Sequence, residues 1–147
     1  MYRIMRKINL VSRCQGSYLA EKLKDTDLAP CHHGYVLTIA RTPGISQEEL
    51  ARSLCVNKSN VTRTLAQLEE RGFVERRSSP QDKRVLQVYP TQKLLDLLPR
   101  VRTIARDWNA YLTAEISEEE LALFQGVLDR IVERAARYAE RGEEATR

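Results

Sequence analysis

Apolar residues recur at helical spacing over most of the chain. Ile4, Ile8, Val11, Tyr18 and Leu19 predict a helix over residues 4–24, uninterrupted by proline. Residues 25–30 break the pattern. A short helix is expected over 31–41, with Tyr35, Val36, Leu37 and Ile39 as its apolar content, and Thr42-Pro43-Gly44 ends it. Ser46 with Glu49 three residues later is a capping-box pattern that opens a third helix, with Leu50, Ala51 and Leu54 on its inner side. Cys55-Val56 reads as a tight turn, at a place where a small residue is wanted. Asn57 is the expected N-cap of a fourth helix reaching about Glu70, lined by Val61, Leu65 and Leu68, with Gly72 just past its end.

Two short apolar runs follow, Phe73 to Arg76 and Val85 to Tyr89. The polar, turn-rich stretch between them makes the pair a β-hairpin with a basic tip. The last third is helical again. Leu94, Leu98, Val101, Ala105, Trp108 and Leu112 form one stripe, in which Pro99 should kink or restart the helix. Ser117 with Glu120 is a second capping box. Beyond it Leu121, Phe124, Leu128, Ile131, Ala135 and Tyr138 alternate three- and four-residue steps, the spacing of a helix packed along another helix. The charged tail from Arg141 is expected to fray.

The expected fold is therefore mainly α with a small β-wing: a winged helix-turn-helix over residues 31–91, flanked by dimerisation helices over 1–30 and 92–147. Of the 147 residues 42% are hydrophobic and 30% charged, which fits a globular chain and neither a disordered nor a membrane-spanning one. The basic and apolar residues alternating through the first ten positions do not read as a secretory signal. Three widely spaced cysteines, Cys14, Cys31 and Cys55, argue against a disulfide framework. A cytoplasmic protein is the expectation.

Net charge, +4, is modest, but it is arranged in blocks. Residues 58–84 hold seven basic and four acidic groups, whereas residues 114–147 hold nine acidic and five basic. Such blocks suggest a face built for an anion. With Val61, Leu65 and Leu68 turned inward, the fourth helix shows Ser59, Arg63, Ala66 and Gln67 outward, flanked by Asn60 and Thr62, and no carboxylate before Glu69. A short, polar, non-acidic face is what a major-groove helix needs: Arg pairs with guanine O6 and N7, and Asn with adenine N6 and N7. Ser59, Asn60, Thr62 and Arg63 are thus candidate base readers, and Ser46, Gln47 and Lys58 candidate phosphate contacts. At the hairpin tip, Asp82, Lys83 and Arg84 suit the adjacent minor groove, with Asp82 expected to hold a nearby Arg by a charge-assisted bond.

Residues Ile45-Ser-Gln-Glu-Glu-Leu-Ala51, Asn60-Val-Thr-Arg63, Leu68-Glu-Glu-Arg-Gly-Phe-Val74 and the wing motif Asp82-Lys-Arg84 resemble the MarR family of bacterial transcriptional regulators. Pro90-Thr91 stands where the family carries Leu-Thr. The resemblance implies a homodimer with interlocked terminal helices, two winged domains reading a pseudo-palindrome in double-stranded DNA, and no cofactor. It also implies release by a small phenolic or lipophilic effector, for which Tyr18, His32, His33 and Tyr35 are the candidate lining residues.

Some relatives sense peroxide through a cysteine on the first helix. Cys14, beside Arg13, is the candidate for that thiol-based alternative, with Cys55 as a weaker one. Cys31-His32-His33 lacks the further ligands a tetrahedral zinc site needs, so no metal is expected. Without a Gly-rich phosphate loop, a GxSxG or an HExxH, an enzyme is not expected either. A winged-helix module that binds protein is the remaining alternative.

Overall fold

The computed structural model describes residues 3–144, with side chains as far as residue 139. In chain order it has α1 (Arg3–Leu23), a 3-10 turn (Pro30–His32), α2 (His33–Arg41), β1 (Ile45–Ser46), α3 (Gln47–Leu54), α4 (Lys58–Glu70), β2 (Val74–Ser78), β3 (Leu86–Pro90), α5 (Gln92–Thr113) and α6 (Glu118–Glu144). Of the tail expected to fray from Arg141, residues 141–144 continue α6, and residues 145–147 lie outside the described residues. The chain divides into two compact units, one up to Trp108 and one from Asn109.

In the first unit α3 and α4 pack on a three-stranded antiparallel sheet of order β1-β3-β2. The core holds Val36, Ile39, Leu50, Val61, Leu65, Leu68, Val88, Leu94 and Val101, all without solvent contact. At about 1.5–3 kcal/mol for each large aliphatic side chain, this burial is what holds α4 against the body. Local chemistry fixes the helix ends. Ser46 Oγ accepts the Glu49 amide proton at 3.1 Å, while Glu49 Oε2 accepts from the Ser46 amide at 2.9 Å. The Ser46 amide and hydroxyl, both donating to Oε2, hold the Glu49 carboxyl below its usual range. Asn57 Oδ1 accepts from the Asn60 amide at 2.8 Å and caps α4. Gly72, with φ of 77°, takes the left-handed position after α4.

Three features depart from the sequence expectation. First, β1 was not foreseen: its two residues pair with Val88 and Gln87 of β3. Second, the hairpin strands lie one to two residues later than expected, so its tip spans residues 79–85. Third, Pro99 neither ends nor restarts α5, which runs unbroken through it. The carbonyl that Pro99 leaves unbonded belongs to Leu95, an exposed residue, so water can serve it.

The turn between α3 and α4 places Cys55 in the left-handed region, at φ 51° and ψ 44°. A side chain there costs about 1–2 kcal/mol, against about 0.5–1 kcal/mol for the extra chain entropy of glycine. Cys55→Gly is expected to stabilise the protein by about 0.5–1 kcal/mol in urea unfolding. A midpoint that does not rise would contradict this account of the turn.

α1 and α6 leave apolar surface open. Leu19 and Leu23 at the C-terminal end of α1 are buried, but Ile4, Met5, Ile8, Leu10 and Val11 are exposed. On α6, Leu123, Phe124, Val127, Val132 and Tyr138 are exposed, while Leu121, Leu128 and Ile131 are half-buried. Among the described residues no helix is long and apolar enough to cross a membrane.

Candidate nucleic-acid interface

The N-termini of α3 and α4 and the hairpin tip converge on one open groove of about 290 Å³, lined by Ser46, Gln47, Glu48, Lys58, Arg84, Val85 and Leu86. Four residues singled out from sequence, Ser46, Gln47, Lys58 and Arg84, thus come together from three separate segments. Lys58 Nζ lies 3.5 Å from Glu48 Oε1, an exposed pair worth little in water and open to exchange for a phosphate. Gln47 Oε1 is a buried acceptor with no partner among the described residues.

The charge block is narrower than its count. Of the basic residues from Lys58 to Arg84, Arg71 donates to the Asp27 carbonyl, Arg76 pairs with Glu69, Arg77 with Glu75 and Lys58 with Glu48. Arg63, Lys83 and Arg84 have no ion pair among the described residues, and all three are exposed. One lies on the outer face of α4 and two on the hairpin tip.

On α4, Ser59 Oγ donates to Asn57 Oδ1 at 2.8 Å and Thr62 Oγ1 to the Lys58 carbonyl at 3.0 Å, leaving both residues on the exposed side. Asn60 is different. Its Oδ1 accepts from Tyr35 Oη at 2.8 Å and from Thr64 Oγ1 at 3.3 Å. The bidentate adenine contact expected of Asn60 needs that oxygen, so it is not available while these bonds hold. Asp82 also departs from expectation: its Oδ1 accepts the Arg84 amide proton at 3.0 Å, and its carbonyl accepts from Val85 at 2.9 Å. It shapes the tip as an Asx turn, and among the described residues it has no ion pair with a guanidinium.

A clamp that sequence reading missed ties the hairpin to the reading helix. Glu69 Oε2 receives Arg76 Nη2 at 2.6 Å and Nε at 3.0 Å, while Oε1 receives the Arg76 amide at 3.0 Å. The Arg76 guanidinium holds the Glu69 carboxyl below its usual range.

The candidate effector residues make separate contacts. Tyr18 stacks on Trp108 at 4.8 Å between ring centres and its hydroxyl donates to the Ile104 carbonyl. Tyr35 bonds Asn60, and burial pushes its phenol above the usual range. His32 is buried, with Nδ1 accepting from the Ala29 amide at 3.1 Å and Nε2 3.2 Å from Gln67 Oε1. Both nitrogens are thereby used, while Cys31 next to it is exposed, so this triplet does not converge on an ion. Among the described residues no group of three metal-ligating side chains occurs. His33 is buried, and its Nε2 has no partner among the described residues. Cys14 and Cys55 are exposed thiols.

Burial lowers the pKa of both histidines. A depressed folded-state pKa means the neutral form is favoured by folding. The associated stability is present above the ordinary value near ~6.5 and is lost as pH falls through the lowered one. These are the only two histidines in the chain, and the paired carboxylates titrate lower. The thermal midpoint is expected to fall from pH 7 to 5.5, with a shallower fall in a His32→Gln/His33→Gln variant. An equal slope in that variant would assign the loss elsewhere.

A helix, a tight turn, a second helix with a polar outer face and a basic hairpin define a winged helix-turn-helix. Residues 32–86 match the sequence profile of the MarR family. The chain is 28% identical over 145 residues to the uncharacterized HTH-type transcriptional regulator YybA of Bacillus subtilis (strain 168), covering 97% of each. It superposes on a crystal structure of MarR with a TM-score of 0.79 and 30% identity, over 95% of this chain and 94% of that one. A cysteine-to-serine mutant of MarR from E. coli, complexed with operator DNA, is similar with a TM-score of 0.79 and 25% identity, over 88% of this chain and 93% of that one. The chain belongs to the MarR family. It is a transcriptional regulator, not an enzyme.

Proposed function

We propose that this regulator acts in the cytoplasm as a homodimer that reads a pseudo-palindromic operator in double-stranded DNA. The observation that carries the reading is that the cations between Lys58 and Arg84 with no ion pair among the described residues, Arg63, Lys83 and Arg84, stand on the outer face of α4 and on the hairpin tip. Arg63 reads a base pair in the major groove, with Ser59 and Thr62 beside it, and Arg84 and Lys83 enter the neighbouring minor groove. Ser46, Gln47 and Lys58 line the groove where a phosphate sits at the N-termini of α3 and α4. Residues 31–91 carry recognition, and residues 1–30 with 92–147 join the two copies through the apolar faces of α1 and α6. That a MarR structure of 25% identity was solved on operator DNA supports this reading.

Release by a small phenolic or lipophilic effector belongs to the same proposal. The buried Nε2 of His33, with no partner among the described residues, favours a ligand hydroxyl beside α2, next to the Tyr35 and His32 bonds that reach α4.

Selection of bound duplexes from a random pool, at one fixed salt concentration, tests the central claim. The expected product is an inverted repeat with half-site centres about one helical turn apart, ~34–36 Å. A pool without enrichment would leave the protein-binding module as the better reading. Enrichment of a lone half-site would remove the dimer.

A further inference from the structure

Two polar bonds cross from α2 and the turn before it to one row of the reading helix. Asn60, Thr64 and Gln67 stand at i, i+4 and i+7 on α4, beside its buried stripe. Tyr35 Oη donates to Asn60 Oδ1 near the start of the row, and His32 bonds Gln67 near its end. The ring of Tyr35 is part of the core, and His32 is buried, so both anchors are held by the body of the domain. The tautomer of His32 follows from its partners: Nδ1 accepts from the Ala29 amide, so Nε2 carries the proton and donates to Gln67.

Seven residues of helix separate the two attachment points by ~10 Å. Fastening a helix at two points on one side fixes its roll as well as its position. Roll matters for reading. Arg63 projects from the side of α4 opposite its buried stripe, and a guanidinium ~10 Å from the helix axis swings by about 1.7 Å for a 10° rotation. That displacement takes a bidentate contact out of hydrogen-bond range. Apolar packing along Val61, Leu65 and Leu68 is non-directional and resists such rotation less than a paired hydrogen bond does.

We propose that Tyr35 and His32 are positioning residues for sequence recognition: by holding Asn60 and Gln67 they set the roll of α4, and Asn60 and Gln67 serve as handles rather than base readers. This rests on the DNA-reading role proposed above.

Affinities for the selected operator and for a scrambled duplex, with thermal midpoints, are compared for the wild type, Tyr35→Phe, Asn60→Ala and the double variant. Tyr35→Phe removes only a hydroxyl and keeps the ring in the core. It is expected to weaken operator binding ~5–10-fold, leave the scrambled duplex and the salt slope unchanged, and broaden preference at several base pairs together. The double variant is expected to lose no more than the worse single one, since both break the same bond. Additive losses, or an Asn60→Ala variant altered at one base pair beside an indifferent Tyr35→Phe, would overturn the assignment. So would parallel losses on both duplexes that follow the thermal midpoints. A wild type that selects no sequence sinks the regulator reading and this assignment with it. One that selects a sequence but tolerates Tyr35→Phe sinks this assignment alone.

Discussion

Phe124→Glu is expected to convert a dimer into a monomer in light scattering and to weaken operator binding by about 10²–10⁴-fold. Phe124 is 58% exposed in the single chain, so a carboxylate there costs little if the chain works alone. It costs much if a second copy covers α6, because an ionised group buried without a partner is disfavoured by several kcal/mol. The neighbours on that face make cover the better account. Leu123, Val127 and Val132 are also exposed, and Leu121, Leu128 and Ile131 are half-buried. A contiguous apolar arc of this kind marks an interaction surface on a water-soluble protein. Loss of affinity follows from loss of bivalency: one winged domain held alone forgoes the effective concentration its tethered partner supplies. Far-ultraviolet circular dichroism should be unchanged. A variant that remains dimeric would place the seam elsewhere, on α1 first.

What was legible in the sequence was the chemistry that acts within a few residues. The Ser46–Glu49 and Ser117–Glu120 boxes each close between a cap and a residue three positions on, and the structure forms both. Val61, Leu65 and Leu68 are all fully buried, as their spacing required. By contrast, β1 is two residues long and exists only because β3 pairs with it from more than forty residues away. No period can show in two residues. Pro99 was read by a local rule that holds where the freed carbonyl is buried, and here it lies beside an exposed side chain.

The candidate site divides along the same line. Ser46, Gln47, Lys58 and Arg84 were identified from residue type, and folding gathers them into one groove. Asn60 was also chosen by type, as an amide near the start of a reading helix. Whether an amide faces DNA or the domain depends on what the adjacent helix offers. Tyr35, 25 positions earlier, offers a hydroxyl at 2.8 Å. Asn60, Thr64 and Gln67 do form a polar row flanking the buried stripe, and that row was the available signal for contacts with a neighbouring element. Asp82 shows the reverse case. A carboxylate among cations invites an ion pair, but the Asp82 carboxylate takes the Arg84 amide of its own turn.

Arg63→Ala is expected to cost about 1–3 kcal/mol on the operator, roughly 5–150-fold in affinity, and to relax choice at one base pair. The effect should be large because Arg63 is exposed, makes no ion pair among the described residues, and lies on the non-acidic side of α4. Its guanidinium is therefore free to take a base edge without first breaking an internal contact. Arg71, Arg76 and Arg77 lack that freedom, since each is bonded within the chain. Charge alone does not explain the expected loss, and Arg63→Lys separates the two contributions. Lysine keeps the positive charge and any attraction to phosphate, but it cannot form the planar two-point contact with guanine. Arg63→Lys should therefore hold its affinity for scrambled duplex and lose most of the operator's advantage. If lysine restores operator binding in full, or if alanine weakens operator and scrambled duplex equally, Arg63 is a phosphate contact and sequence choice lies with other residues.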